Sequence, residues 1–396
     1  MREMPPTAGL PLSVRELFGT GGGFARAAQD YAGAPYAGLA CSGTACFVLI
    51  LTALHRLSGR RTVIVPAYNC PLVALAVAHC GLKLRLCDLA ADSLDFDMAA
   101  LAALCDEDTL AIVPTHLAGR VAQVAPVLQL ARGCGAFVVE DAAQAFGARR
   151  GGQSVGLEGD AGFFSFAAGK GLSLYEGGLW VTHDPVLASA IERAQDERIA
   201  RDARQEFRRC LELAAYALFY RPAFLPWAYG MPLRRALKKG DLIGAVGDVF
   251  SPEIPLHRVS GWRQGVGRRA LSRLQAFHRQ TTVQAERRLA VLGTLPGVRV
   301  FRDLKDEEGV WPCFMLRLPD QHRRDRALGA LWGEGLGVTR MFIHALPDYG
   351  YLRSCVPQDA CPNARDLAAR TLTITNSPWL DDAGFARIVG VLKQVI

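Results

Sequence analysis

The sequence lacks the features of three classes of protein: membrane or secreted proteins, proteins held together by disulfides or metal ions, and nucleic-acid-binding proteins. No apolar run is long enough to span a bilayer, and the opening MREMPPTAGLPLSVRELFG holds no apolar segment of signal-peptide length. The eleven cysteines include no CxxC pair and no His/Cys cluster, so we expect neither a disulfide framework nor a metal site. No basic and aromatic module of the usual nucleic-acid-binding types is present. These absences predict a cytoplasmic protein with reduced cysteines and no nucleic-acid partner.

What the chain does contain is apolar material for a large core and an uneven distribution of positive charge. Half of its 396 residues are hydrophobic, and the formal net charge is +7. Between residues 193 and 273 there are sixteen Lys and Arg against eight Asp and Glu. This segment is either a solvated helical surface with opposite charges three or four residues apart, or a patch for an anionic partner such as a phosphate or a membrane surface.

Apolar segments of strand length alternate with helical patterns in the first half of the chain. The segments RTVIVPAY, LKLRLCDL, TLAIVPTH and AFVVEDA are typical of buried strands, and ALAVAHCG between two of them is typical of a helix. This alternation predicts an α/β domain with a largely parallel sheet. Ligands of such sheets collect at the carboxyl ends of the strands. The candidate site residues are therefore those at the strand ends: Pro66 to Asn69, His116, Glu140, Asp141 and Ser165.

A turn of small residues precedes the strongly apolar segment CFVLILTAL. Ser42, Gly43 and Thr44 there would present free backbone N–H groups and a hydroxyl at the start of a helix, which suits a phosphate. On its own, such a turn is more often an ordinary helix cap than a phosphate site.

A carboxylate and an amide follow the strand AFVV. Asp141 is placed to hold a protonated ring nitrogen, and Gln144 a ring hydroxyl, although Asp141 is also a plausible capping residue for a helix.

One lysine interrupts an apolar, glycine-flanked stretch, GFFSFAAGKGLSLYEGG. An amine among Phe and Ala side chains loses hydration, which disfavours its charged form and makes Lys170 a nucleophile suited to Schiff-base chemistry with an aldehyde. Ser165 ends the preceding strand and offers a second hydroxyl for a phosphate. Together with Asp141 and the turn at Gly43, these residues are the set that pyridoxal phosphate needs: a phosphate anchor, a partner for the ring nitrogen and a tethering amine.

Several motifs in the same order resemble the DegT/StrS-type sugar aminotransferases, which are fold-type I pyridoxal phosphate enzymes. They are SGTA, VPAYN, DLAADSLDFD, VPTHLAG, VEDAAQAFGA, GFFSFAAGK, EGGLWVT, LGVTRMFIHALPDYGYL and the ending CPNARDLAARTLTITNSPWLDDAGFARIVGVLKQ. The resemblance covers the chain from about Cys41 onward.

The resemblance implies roles for individual residues. Lys170 would form the Schiff base with pyridoxal 5'-phosphate and move the proton, Asp141 would pair with the ring nitrogen, and Gln144 would lie near the ring hydroxyl. Gly43, Thr44 and Ser165 would hold the phosphate. Relatives that dehydrate their substrate have histidine at the lysine position, so the retained lysine favours transamination. The family's sites are shared between two chains, which implies a homodimer.

The sequence also departs from the family pattern. Cys70 occupies the position where relatives commonly stack an aromatic ring on the cofactor, and we consider Tyr68 as its substitute. The asparagine usually contributed by the neighbouring chain has no counterpart in HRVSGWRQGVGR, where His257, Arg258 or Arg263 would be in reach of a phosphate instead.

Four residues are candidates for substrate contacts: His116, Arg263, Arg340 and His344. His116 is alternatively a satisfied strand-end histidine. Arg340 would suit an acidic substrate group, but a surface ion pair has the same sequence signature.

An aromatic and basic insertion at about 205–245 falls where family members are typically shorter. Its sequence, CLELAAYALFYRPAFLPWAYGMPLRRALKKG, predicts an extra helical hairpin or a dimer arm. The alternative is an amphipathic element that rests on the inner membrane face or guides a lipid-linked substrate. The prolines and glycine in RPAFLPWAYGMP argue against one continuous helix.

The sequence thus predicts a fold-type I α/β enzyme, with a large cofactor-binding domain at 1–250 and a long helix with a small α+β domain at 251–396. The expected reaction is pyridoxal phosphate-dependent transfer of an amino group, with glutamate as expected donor, to a nucleotide-linked keto-sugar in surface polysaccharide or amino-sugar biosynthesis. The alternatives are the same chemistry on a lipid-linked or non-sugar ketone, and a non-catalytic ligand-binding descendant.

Overall fold

The computed structural model describes residues 2–18 and 21–396. The helices are α1 Val14–Leu17, α2 Phe24–Ala32, α3 Gly43–Ser58, α4 Pro71–His79, α5 Met98–Leu104, α6 Val124–Cys134, α7 Pro185–Arg198, α8 Ala203–Phe219, α9 Met231–Lys238, α10 Leu242–Val246, α11 Gly261–Leu292, α12 Gln321–Leu331, α13 Pro362–Arg370 and α14 Asp382–Val395. The strands are β1 Tyr36–Ala40, β2 Thr62–Pro66, β3 Lys83–Cys87, β4 Thr109–Ile112, β5 Phe137–Asp141, β6 Arg149–Arg150, β7 Gln153–Ser154, β8 Ala161–Ser165, β9 Gly178–Thr182, β10 Arg299–Val300, β11 Glu307–Glu308, β12 Cys313–Arg317, β13 Val338–Thr339 and β14 Thr371–Thr375.

The main sheet has seven strands in the order β1-β9-β8-β5-β4-β2-β3. Strands β3, β2, β4, β5 and β8 pair in parallel, and β9 runs antiparallel to both of its neighbours. The four strands expected from the sequence are β2 to β5, which confirms that part of the prediction. β2 is buried along its whole length and apolar except for Thr62, as expected for a parallel strand covered on both faces.

Helices on both sides of this sheet complete the first core. Helix α3 buries eleven of its residues and packs against α4, α7 and strand β9. Its Ser42 caps the first turn by accepting a hydrogen bond from Ala45 N at 3.0 Å. The architecture is the predicted mostly parallel α/β fold.

A second, antiparallel sheet lies in the C-terminal part of the chain in the order β10-β12-β14-β13. Helices α12 and α14 pack on it around Phe314, Leu316 and Ile374. The 32-residue helix α11 precedes it. The N-terminal segment also reaches this region, since Met4 N donates to Gly335 O at 2.8 Å. A division of the chain at residue 250 stays a prediction.

The insertion folds as separate short helices. Helix α8 ends at Phe219, a π-helical turn covers Pro226–Gly230, and α9 and α10 follow. The break that its prolines predict is present. No helix among the described residues is long and apolar enough to cross a membrane.

Candidate active site

A cavity of about 470 Å³ lies where the carboxyl ends of the main sheet's parallel strands meet the C-terminal part of the chain. The lining includes the polar residues Asn69, His116, Asp141, Ser165 and Lys170, each at or just after a strand. The parallel arrangement explains this meeting, because it brings the ends of β2, β4, β5 and β8 to one edge.

Lys170 lies on a tight loop between β8 and β9. The loop is closed by hydrogen bonds from Phe166 N to Gly177 O (2.7 Å) and from Ala168 N to Tyr175 O (2.8 Å). The amine has no hydrogen-bond partner among the described residues. It is partly accessible from the cavity, yet surrounding protein atoms desolvate it and lower its pKa, against the opposing influence of Cys70 and Asp141. Among the described residues, the structure thus leaves a partly accessible, desolvated amine without a hydrogen-bond partner.

The N-terminal segment fixes this loop from outside the sheet. Thr7 Oγ1 donates to Gly169 O at 2.6 Å, and Leu10 N donates to Gly171 O at 2.9 Å. Thr7 also lines the cavity. The position of Lys170 therefore depends on residues far away in sequence.

Asp141 and Gln144 face the same cavity. Burial raises the pKa of Asp141, while a hydrogen bond from Ala143 N (3.1 Å) and the charge of Lys170 lower it in part. That is the one hydrogen bond its carboxylate accepts among the described residues. Gln144 Oε1 accepts from Ala118 N at 2.8 Å, and its amide group contacts Met341 Sδ at 3.6 Å.

His116 and Glu140 form a buried pair at the carboxyl ends of the parallel strands. His116 Nε2 lies 2.9 Å from Glu140 Oε2, and its Nδ1 accepts a hydrogen bond from Ala122 N at 3.0 Å. Although burial alone would raise the pKa of Glu140, His116 and backbone N–H groups of residues such as Gly159 hold it below the usual value. Both ring nitrogens of His116 are committed, so its ring is a fixed wall of the cavity.

The start of α3 forms the opposite end of the cavity. Gly43 and Thr44 line it together with Ser165. A Cβ on Gly43 would lie 3.0 Å from Ser165 Cβ, so a larger residue here would push the turn and the end of β8 slightly apart. The backbone N–H groups of a helix's first turn and two hydroxyls meet here, as a phosphate requires.

These residues fit pyridoxal phosphate. The helix start at Gly43 and the hydroxyls of Thr44 and Ser165 would hold the phosphate, and the under-bonded buried carboxylate of Asp141 matches a protonated ring nitrogen. The unpaired Lys170 amine matches an aldehyde.

Tyr68 is a correction to the sequence-based expectation. The ring is buried behind the cavity, where its hydroxyl donates to Phe342 O at 3.2 Å, and it packs edge-on against the Phe342 ring at 5.5 Å. Tyr68 does not line the cavity, whereas Cys70 does. Burial raises the pKa of the Cys70 thiol to about 12, so Cys70 is a neutral, apolar wall at this position.

Arg263 is a second correction. Its guanidinium is fully buried, pairs with Glu206 and donates to the backbone oxygens of Leu174 and Glu176. With its donors used in this way it is a structural ion pair, and it does not line the cavity.

The two remaining substrate candidates are placed differently from each other. Arg340 lines the cavity, and its Nη2 donates to Ile343 O at 2.7 Å. His344 is outside the lining, with its ring edge-on to Tyr349 at 5.3 Å. The structure therefore brings Arg340 into the site but not His344.

Sequence reasoning missed the cavity wall that the insertion and the residues directly after it contribute. Tyr220, Tyr229, Asp248 and Phe250 all line the cavity. Asp248 Oδ2 accepts hydrogen bonds from Tyr349 Oη (2.6 Å) and Ile343 N (3.0 Å). The insertion is rich in aromatic residues, and this was the one sequence feature that pointed to such a wall. Composition does not show which aromatic side chains face the cavity and which face the protein surface. No cluster of metal-ligating side chains occurs in residues 2–18 and 21–396.

Curated relatives match part of the chain. One is the GDP-perosamine synthase of Caulobacter vibrioides, 38% identical over 167 residues, which covers 42% of this chain and 44% of that protein. Another is the L-glutamine:2-deoxy-scyllo-inosose aminotransferase of Streptomyces fradiae, 36% identical over 202 residues and 47% of each chain. The matched stretches span less than half the length of these relatives.

Solved structures share the fold over nearly the whole chain. The apo form of the sugar aminotransferase Spr1654 from Streptococcus pneumoniae, described as putative, superposes with a TM-score of 0.76 at 17% identity, covering 99% of this chain and 97% of that one. DesI in the presence of its TDP-sugar product gives a TM-score of 0.73 at 21% identity, covering 100% and 94%. A family model matches residues 20–216 and 258–393, leaving out most of the insertion. The chain belongs to the DegT/DnrJ/EryC1/StrS aminotransferase family.

Proposed function

We propose that this protein is a pyridoxal phosphate-dependent aminotransferase that transfers an amino group from an amino acid to a keto-sugar. The observation that carries the proposal is the unpaired, desolvated amine of Lys170 in one cavity with the carboxylate of Asp141 and the helix start at Gly43.

Pyridoxal phosphate, when bound, supplies an aldehyde that condenses with amines and a protonated ring that withdraws electrons from the bonds next to the captured nitrogen. Lys170 is the group that holds and moves the proton. Desolvation lowers the pKa of its amine, so a larger fraction is neutral and able to accept a proton from the substrate carbon at neutral pH. The loop hydrogen bonds that hold Ala168 and Gly169 keep this amine in place.

Asp141 supplies the negative charge in the site. Its carboxylate has little stabilisation of its own, so a cationic ligand nitrogen would be its strongest available partner. Gln144 is fixed by Ala118 N and presents its amide to the cavity, where it would bond a ring hydroxyl. His116 lines the cavity, and the contacts of its two ring nitrogens with Glu140 and Ala122 N hold the ring in one orientation.

The finer terms of the proposal are a nucleotide-linked keto-sugar as acceptor and glutamate as donor. The names of two relatives, a GDP-perosamine synthase and a scyllo-inosose aminotransferase, support a sugar or cyclitol acceptor. We also propose a homodimer, supported by the family's shared sites and testable by sedimentation equilibrium.

The test is single-turnover formation of 2-oxoglutarate from glutamate by the protein loaded with pyridoxal phosphate, followed by addition of keto-sugars. Stoichiometric 2-oxoglutarate, with further turnover only when an acceptor is present, is the expected result. A loaded protein that releases no keto acid from any amino acid would be a ligand-binding descendant, and the proposal would fail.

A second candidate acceptor, a lipid-linked ketone at a membrane face, is favoured by a specific surface of the insertion. Phe219, Phe224 and Trp227 are 51%, 43% and 63% exposed, and their rings contact one another at centroid distances of 5.4 and 6.5 Å. Tyr220, next to Phe219, lines the cavity, so this exposed cluster lies beside the site. Basic side chains on α9, such as Lys238, favour an anionic bilayer.

Flotation with phosphatidylglycerol vesicles tests this surface. We expect the bound fraction to fall at least about tenfold in the triple variant Phe219→Ser/Phe224→Ser/Trp227→Ser. The control Val283→Ser/Leu304→Ser removes exposed apolar side chains elsewhere and should bind as the wild type does. Equal binding by both variants, or a change confined to the oligomeric state in solution, would contradict a membrane role.

A further inference from the structure

A second cavity, of about 630 Å³, lies between α9 of the insertion and α12 of the C-terminal part. Apolar side chains form much of its wall, among them Trp332, three leucines and a methionine. Helix α9 lies outside the part of the chain that the family model matches, so one wall of the cavity comes from a segment that the family model does not include.

The charged groups that face this cavity are mostly positive. They are Arg234, Arg235, Lys238, Arg340 and one acid, Asp325. Arg234 is already neutralised by Glu3 (Nη1 to Oε2, 2.8 Å), and Asp325 pairs with Arg324 at 2.8 Å.

Three of these cations have no carboxylate partner among the described residues. Arg235 and Lys238 are exposed, and no carboxylate of a described residue lies within 4.0 Å of either. Arg340 is 7% exposed; its Nη2 bonds backbone oxygens, and its Nη1 has no acceptor among the described residues. Burial and the charge of Arg324 lower the pKa of Arg340 to about 10, so it stays charged at neutral pH.

Arg340 also connects this cavity to the one that contains Lys170. It lines both, so one side chain belongs to the walls of the two cavities. The insertion also contributes to the walls of both cavities: Tyr229 lines the first, and Met231, two residues later, lines the second. Arg340 is therefore a group that a ligand in either cavity can contact.

We propose that the second cavity binds the phosphate or diphosphate group of the acceptor, held by Arg235, Lys238 and Arg340. Guanidinium and ammonium groups donate charge-assisted hydrogen bonds to phosphate oxygens, and the apolar wall takes the organic group attached to them. This inference rests on the proposed aminotransferase function and adds to it the place and chemistry of the acceptor's far end.

Isothermal titration calorimetry of the protein loaded with pyridoxal phosphate tests the proposal. The probes are inorganic pyrophosphate, uridine diphosphate and farnesyl diphosphate. We expect at least one to bind, with its Kd raised at least about tenfold in Arg235→Ala/Lys238→Ala. The control Arg132→Ala/Arg193→Ala removes two exposed cations from α6 and α7 and should leave the Kd unchanged. Tighter binding of uridine diphosphate than of farnesyl diphosphate indicates a nucleotide-linked acceptor, and the reverse order a lipid-linked one.

The outcomes separate this inference from the proposed function. Equal weakening in both double variants, or no binding of any probe, would overturn the second-cavity site, while keto acid release from an amino acid would still stand. Binding that depends on Arg235 and Lys238 in a protein that releases no keto acid would overturn the assignment as an acceptor site. A double variant that binds pyridoxal phosphate normally shows that its loss of diphosphate binding is not caused by misfolding.

Discussion

Asp141 is buried, and its carboxylate accepts a single hydrogen bond from the described residues, an arrangement that suits ligand binding better than stability. We expect Asp141→Asn to lower kcat/KM by about 10²-fold or more, because it removes the charge opposite the ring nitrogen while keeping the shape. The exposed Asp359→Asn is the matched control and should leave kcat/KM unchanged. Steady-state kinetics on both variants checks the prediction, and equal activity of Asp141→Asn and wild type would contradict it.

The same substitution has an expected pH signature in the cofactor-free protein. Because burial raises the pKa of Asp141, the folded chain keeps this proton to a higher pH than the unfolded chain does. The stability that the protonated carboxyl contributes is fully present below the ordinary carboxyl pKa and is lost as pH rises through the raised value. Urea denaturation should therefore show wild type losing stability relative to Asp141→Asn over that window. A difference between the two proteins that does not vary with pH would contradict this.

At the scale of residues, local patterns predicted those side chains whose position depends on a strand end or a helix start. Asp141, Ser165 and Gly43 meet in the cavity because parallel strands bring their ends to one edge. Tyr68 and Arg263 were not predictable in this way. The orientation of Tyr68 depends on its contact with Phe342, and the burial of Arg263 depends on its ion pair with Glu206. Both partners are distant in sequence, so no local pattern indicates them.

Helices α8 and α11 are joined by the buried pair of Glu206 and Arg263. Although burial alone would raise the pKa of Glu206, its bonds to Arg263 hold it below the usual value. We expect Arg263→Ala to lower the free energy of unfolding by about 3–5 kcal/mol, since it leaves a buried carboxylate unpaired. Arg258→Ala, whose partner Asp196 lies 3.8 Å away at the surface, should change it by less than about 0.5 kcal/mol. Urea denaturation of both variants measures the two changes.

The acceptor KM distinguishes this structural role from substrate binding. Per folded molecule, both variants should have the wild-type KM. An Arg263→Ala protein of normal stability with a raised KM would show that Arg263 binds substrate.

At the scale of elements, the sequence predicted β2 to β5 and the break in the insertion, because buried parallel strands and proline act locally. The sequence did not predict that the insertion would form both an exposed aromatic cluster and part of the cavity wall. Its aromatic residues divide between an exposed cluster at Phe224 and Trp227 and a cavity wall at Tyr220 and Tyr229, and composition alone does not separate the two.

In the whole molecule, three distant parts of the chain close around Lys170. The main sheet supplies Asp141 and Ser165, the N-terminal segment supplies Thr7, and the insertion supplies Tyr229. The fold class followed from motifs in the sequence, and those motifs also named Asp141, Ser165 and Gly43, which the structure places in one cavity. The contribution of the N-terminal segment did not, because its hydrogen bonds to Gly169 and Gly171 join residues some 160 positions apart and leave no local pattern.

The most direct test of the central claim, that Lys170 is the catalytic amine, is the visible absorption spectrum of the purified protein with pyridoxal phosphate. Wild type and the control Lys305→Ala, whose lysine is exposed on a loop, should show a yellow band that shifts when glutamate is added. Lys170→Ala should lack that band. A wild-type protein without the band, or a Lys170→Ala protein that keeps it, would show that Lys170 does not form the Schiff base and would contradict the account.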